Sequence, residues 1–211
     1  NLAEQGHLVS GNLRGSKADL WDGGHRLPFI VRWPSTVQPG TVCNQLICHT
    51  DLFATVAELT QQQIPNNAAE DSVSFLPALH EKEIITTRNG ITHHSFSGHF
   101  AYRRGRWKLL LAKGSGGWTS PRERDMPNTA AKVQLYDMAT DIGERRNLQN
   151  EKPELVQELL DLLKTDIQRG RSTDGPKATN DINRIDLWKI QQANALKKKS
   201  QTKPPRNKNK N

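Results

Sequence analysis

Six ionisable side chains crowd the stretch between Gly11 and Pro28: Arg14, Lys17, Asp19, Asp22, His25 and Arg26. Gly11, Gly15, Gly23 and Gly24 punctuate them, so the backbone can turn sharply or approach a ligand closely. Lysine offers an anion a compact ammonium and arginine a planar, two-pronged guanidinium. Lys17 and Arg14 are therefore the groups here suited to an anionic ligand. Arg14 fits a second role equally well, stapling the loop to its surroundings. Asp22 and Arg26 read as an internal pair holding the loop together. Pro28 closes the loop, and Phe29-Ile30-Val31 reads as a buried strand. In an open α/β sheet, ligand sites form at such strand-end loops. Taken alone, the pattern also describes a solvated charged loop.

Other chemistry-bearing residues are sparser. His93, His94 and His99 place three imidazoles within seven residues. On a strand, successive side chains point to opposite faces, so at most one of His93 and His94 faces inward. Cys43 and Cys48 cannot define a disulfide framework. They read as small buried hydrophobes beside a strand; a pairing in an oxidising compartment is the other option. No C-x-x-C spacing supports zinc. His7 reads as a surface residue of a loop over residues 1–10.

Local signals place these residues on elements. Residues 28–33 read as a strand ended by Trp33-Pro34, and Leu46-Ile47-Cys48 is a second short apolar run. Thr50 or Asp51 can cap a helix whose apolar positions are Leu52, Phe53, Val56 and Leu59. Residues 61–74 read as a surface loop. Near residues 83–88 the character changes to a second, smaller unit. There, residues 90–96, 99–102 and 107–111 are β-rich runs, the last two flanking a Gly105 turn in a hairpin. Leu135-Tyr136-Asp137 adds a strand. Pro153 suits the first turn of a helix, Leu155 to Ile167 give it a broad apolar face, and Gly170 ends it. Residues 171–176 read as a linker.

Composition bounds the class. The chain has 211 residues, of which 34% are hydrophobic, a low share for a self-sufficient globular protein. No apolar run approaches the roughly 18 residues of a membrane span. The net charge is +8, but residues 197–211 hold six Lys, one Arg and no acid. The body is thus near neutral, and the tail reads as a solvated, disordered end. No folded basic face with an aromatic platform accompanies it, so nucleic acid is not an expected partner.

The order of motifs resembles one family. Leu13-Arg14-Gly15-Ser16-Lys17, then Trp21-Asp22-Gly23-Gly24-His25-Arg26-Leu27-Pro28, then Arg32-Trp33-Pro34 is similar to the sulfatases, closest to the bacterial arylsulfatase A-like branch. Members usually carry Glu where this chain has Asp22. The resemblance continues through residues 50–55, 105–109, 134–137, 141–147 and 170–172. It implies an alkaline phosphatase-like α/β fold, of which residues 1–85 are the end of the catalytic domain and 86–170 a small antiparallel sheet with one packed helix. Residues 171–211 would be the linker and basic tail. It also implies hydrolysis of a sulfate ester, small or polysaccharide, with Lys17 as the catalytic cation at the sulfate. Arg14 and His94 are the implied substrate contacts. The family's formylglycine comes from a C/S-x-P-S-R motif, and its calcium from an upstream Asp-Asn-Gly segment; neither motif is in this sequence. The expectation is therefore the C-terminal portion of a longer enzyme, without a complete metal site and inactive alone. The resemblance implies a periplasmic or secreted location. Two other functions stay open: phosphodiester or phosphonate hydrolysis in the same superfamily, and non-enzymatic binding of polyanions.

Overall fold

The computed structural model describes residues 5–189. The basic tail, and the expectation that it is disordered, lie outside the described residues. Three short helices come first: α1 (Asp22–His25), α2 (Asp51–Leu59) and α3 (Leu76–Leu79). Four strands follow, β1 (Ile91–His94), β2 (Phe100–Arg104), β3 (Trp107–Leu110) and β4 (Gln134–Asp137), and then α4 (Pro153–Arg169). The strands form one antiparallel sheet in the order β1-β2-β3-β4. The hairpin expected around Gly105 is present, with Arg104 opposite Trp107.

The pleat gives this sheet two differently covered faces. Phe100, Tyr102, Leu109, Leu111 and Leu135 point one way and meet Leu159 and Leu163 of α4. Ala101, Leu110, Ala112, Tyr136 and Met138 point the other way. That second face is covered by the glycine-punctuated loop, through Leu20 and Trp21, both buried. The predicted catalytic loop therefore lies flat on the sheet of the second unit.

Helix α4 behaves as its sequence predicts. Pro153 occupies the first turn, and Gly170 takes the left-handed conformation at φ 65° to end the helix. A side chain at Gly170 would meet the Ala178 carbonyl oxygen at 2.5 Å. Beyond it the chain departs from expectation. Residues 171–173 are not a free linker but a clasp on the 66–71 loop. The Ser172 N–H donates to Asp71 Oδ1 at 2.9 Å, and the Thr173 hydroxyl donates to the Glu70 carbonyl at 2.6 Å. Arg171 and Ser172 are buried by these contacts.

Two more expectations are corrected. Residues 28–33 form no strand: Phe29 is 49% exposed and Ile30 89%. An extended apolar run needs a neighbouring strand to take up its backbone groups, and none of the described strands lies beside it. Asp51 is not a helix cap. It is the first residue of α2, buried, and accepts the N–H groups of Cys48 and Val73 at 2.9 and 3.0 Å. Arg88 donates to both its oxygens, at 2.6 and 2.9 Å. That fork locks the first unit to the start of the sheet. Cys43 and Cys48 are both free thiols, Cys43 exposed.

Replacing Gly170 with alanine imposes a left-handed conformation on a residue with a Cβ, besides the contact with Ala178. Urea unfolding of Gly170→Ala is expected to show a loss of about 1–2 kcal/mol, with an unchanged denaturant slope.

Candidate functional site

The glycine-punctuated loop is fastened to the sheet by buried charge. On β3, Lys108 sits inside an otherwise apolar strand and is fully buried. Its Nζ lies 2.6 Å from Asp22 Oδ1 and 2.8 Å from Glu144 Oε1. Glu144 Oε2 in turn accepts the Asp22 N–H at 2.6 Å. Arg103 Nη1 of β2 stands 3.8 Å from Asp22 Oδ2. Two cations and two carboxylates thus close a neutral cluster under α1. Burial pushes the Glu144 carboxyl up from the usual range, against the pull of Lys108. Asp22 therefore pairs with the sheet, not with Arg26, which is exposed.

Arg14 is spent on the same fastening. Its Nη1 donates to the Glu144 carbonyl at 2.6 Å and to the Tyr136 hydroxyl at 3.2 Å. The guanidinium lies 3.7 Å from the centre of the Trp21 ring. Tyr136 passes the network on to Gln134 Oε1 at 2.7 Å, which also receives the Trp21 indole N–H at 3.2 Å. Of the two roles open to Arg14, the structure shows the staple.

Beside this brace stand two imidazoles. His25 of α1 and His93 of β1 have ring centroids 4.2 Å apart, and each has a buried Nε2 with no hydrogen-bond partner. Burial, reinforced by the Lys108 charge, pushes His25 down to about 4 and His93 well below the ordinary histidine value. Both are neutral at pH 7. His94 points the opposite way, to the α4 face, with its ring 4.2 Å from Phe100. The loop-facing imidazole of the pair is therefore His93, and the structure does not bring His94 together with Lys17.

Lys17 stands apart from all of this. It is exposed and has no carboxylate partner among the described residues, while the residues on either side are fixed. The Ser16 N–H donates to Asp19 Oδ2 at 2.8 Å, and the Ser16 hydroxyl shares a hydrogen bond with Thr119 at 3.0 Å. Asp19 is fully buried, and its Oδ1 accepts the N–H groups of Trp118 and Thr119 at 2.8 and 3.1 Å. Ala18 is held at φ 85°, a left-handed conformation costing about 1–2 kcal/mol for a residue with a Cβ. Its carbonyl accepts the Phe96 N–H at 3.0 Å. The result is an exposed cation on a preorganised turn.

Sequence reasoning singled out Lys17 and the loop but not Lys108, Glu144 and Asp19 as the loop's supports. The signal for Lys108 was present: a single charge within Trp107-Lys108-Leu109-Leu110-Leu111. A cavity of about 260 Å³ lies elsewhere, over the Arg88–Asp51 pair, and is not lined by Lys17.

Two measurements test this arrangement. Lys108→Met strands two carboxylates in the interior and should cost about 3–5 kcal/mol in urea unfolding; adding Glu144→Gln should recover part of it. The His25–His93 pair makes stability depend on pH. The unfolded chain takes up protons near the ordinary value of about 6.5, the folded chain only near 4 at His25. Stability from this pair is thus full above the unfolded value and is lost as pH falls toward 4. Asp166, pushed up to about 6 by burial, works in the opposite sense over part of that range. The test is therefore a difference: between pH 7 and pH 5, His25→Leu should lose less stability than the parent protein.

Comparison with known proteins places this geometry. Residues 16–115 match the family model described as N-sulphoglucosamine sulphohydrolase, C-terminal. The chain is 34% identical over 160 residues to an N-acetylgalactosamine-6-O-sulfatase of Bacteroides thetaiotaomicron, covering 76% of this chain and 31% of that protein. An ulvan-active sulfatase of Formosa agariphila is 29% identical over 163 residues, covering 67% of this chain and 31% of that protein. A solved structure from a B. thetaiotaomicron locus for the metabolism of multiple glycosaminoglycans superposes with a TM-score of 0.62 at 32% identity, over 77% of this chain and 33% of its own. The chain thus spans about a third of the length of these relatives. The loop, the sheet beneath it and these matches together show that the chain belongs to the sulfatase family and corresponds to its C-terminal portion.

Proposed function

We propose that the full-length protein hydrolyses a sulfate ester of a saccharide, and that Lys17 is the cation this chain supplies to the sulfate group. The observation that carries the reading is the contrast within one loop. Arg14, Asp19 and Asp22 are engaged inward, whereas Lys17, exposed and without a carboxylate partner among the described residues, stands on a turn held at both ends. A sulfate ester carries negative charge on its oxygens and gains more on the leaving oxygen as the S–O bond breaks. A cation already oriented stabilises that charge without reorganising. The brace that holds the loop makes such preorganisation available to Lys17.

The family in general uses formylglycine and calcium, and the residues described here do not fit either group. Cys43 and Cys48 stand outside any C/S-x-P-S-R sequence. No set of three His, Cys, Asp or Glu side chains among the described residues is placed to hold a metal. Asp19, Asp22 and Asp51 commit their oxygens to backbone N–H groups, Lys108 and Arg88. The part this chain plays is to orient a charge.

The choice of a saccharide ester rests on the relatives, which are named for N-acetylgalactosamine 6-sulfate and for ulvan. Among the described residues no helix is long and apolar enough to cross a membrane.

The decisive experiment is Lys17→Ala in the full-length protein, assayed against N-acetylgalactosamine 6-sulfate. A fall in kcat/KM of about 10²–10³ is expected, with Lys17→Arg retaining part of the activity. Unchanged turnover in Lys17→Ala removes this residue from the site. Faster turnover of the matching phosphate ester by the parent protein would favour the phosphohydrolase reading instead.

A further inference from the structure

Two exposed aromatic side chains stand on loops anchored to the turn that carries Lys17. Phe96 is 73% exposed and Trp118 is 48% exposed, yet their rings meet at 5.0 Å between centroids. They come from different loops, one following β1 and the other following β3. Both are pinned to the Lys17 turn by their own backbones. The Phe96 N–H donates to the Ala18 carbonyl, and the Trp118 N–H to the Asp19 carboxylate. Lys17 is one residue from the first anchor and two from the second, at most about 7.6 Å of chain. Arg122 Nε donates to the Trp118 carbonyl at 2.7 Å and steadies the second loop. Gly117 permits the approach: a Cβ there would lie 2.3 Å from the Ala18 oxygen and 2.6 Å from Asp19 Oδ1.

We infer that Phe96 and Trp118 form a stacking platform for the sugar ring that bears the sulfate group met by Lys17. Exposed aromatic rings held rigidly carry a large apolar face at little conformational cost. A pyranose presents an apolar C–H face that suits such a surface, while its charged substituent needs a cation at the rim. A bare inorganic anion uses only the cation. The platform therefore selects a sulfated saccharide over the anion alone, and its two rings come from loops held by neighbouring residues of one turn, the Phe96 loop by the Ala18 carbonyl and the Trp118 loop by the Asp19 carboxylate. This inference rests on the sulfate-ester reading of Lys17 given above.

The test compares two ligands by calorimetry on the full-length protein: N-acetylgalactosamine 6-sulfate and inorganic sulfate. In Trp118→Ala, the ratio of saccharide to sulfate affinity should fall about tenfold, and in Phe96→Ala by a smaller factor. In Lys17→Ala both affinities should fall. An unchanged ratio in both aromatic variants, with Lys17→Ala still weakening both ligands, overturns the platform and leaves the sulfate reading standing. No binding of either ligand by the parent protein, or no effect of Lys17→Ala, overturns the sulfate reading and the platform with it. Hydroxyl-radical footprinting needs no variant. Oxidation of Phe96 and Trp118 in the free protein, suppressed by the saccharide and not by sulfate, supports the platform. Protection of both rings before any ligand is added shows protein covering them and overturns it.

Discussion

The Lys108 ammonium is the point on which the loop's position depends. The segment from Gly11 to Arg26 buries only two apolar side chains completely, Leu20 and Trp21, too little to fix a sixteen-residue polar loop by apolar contact alone. What fixes it is a fully buried cation on the middle of the sheet with two carboxylates close enough to bond it directly. One belongs to the loop, and the other, Glu144, comes from the chain that follows β4. Taking these charges out of water is costly, and their mutual attraction offsets it only in good geometry with the remaining lone pairs used. Here Glu144 also accepts a backbone N–H from the loop, and its own carbonyl receives Arg14. The cluster therefore specifies position more than it adds stability.

That constraint divides the loop's charges into two sets. Arg14, Asp19 and Asp22 face the sheet or the neighbouring loop and are engaged by contacts within the fold; Lys17 and Arg26 face solvent. The division follows from backbone geometry. Asp19 binds back to Ser16 and across to residues 118 and 119, so the chain between must bulge outward, and Ala18 takes a left-handed conformation to do so. Strained residues of this kind persist only where the surroundings over-determine them, and they cluster at functional sites. The outward member of that bulge is Lys17.

The elements that were legible in the sequence were those with local signals. Pro153 and Gly170 bracket α4, the Gly105 turn marks the hairpin, and helical spacing marks α2. The charged loop was legible as a unit, from its glycines and from the family pattern. What was not legible depended on distant partners. Lys108 meets Asp22 across 86 residues, and nothing within β3 says which face of the strand is dry. Asp51 stood at a position where a cap is common, but Arg88 and Val73 approached from outside the helix and took its oxygens. The run Phe29-Ile30-Val31 has the composition of a core strand, but a strand is a relationship between segments, and the described sheet ends at β1 and β4.

The same run bears on how the exposure of Lys17 is read. Ile30, Val42, Leu52 and Phe53 are all at least half exposed. The sulfatases matched here carry roughly twice as much chain again as the part this protein aligns with. In this setting solvent exposure alone says little about whether a side chain belongs to a site, because an apolar residue and a site residue can both stand open. The discriminating property is commitment. An ordinary surface lysine sits on a backbone that would be the same without it, whereas Lys17 stands between Ser16, bonded to Asp19, and Ala18, held left-handed, and the loops anchored on this turn carry two aromatic rings that pack on each other. A fold does not need that arrangement to bury its sheet.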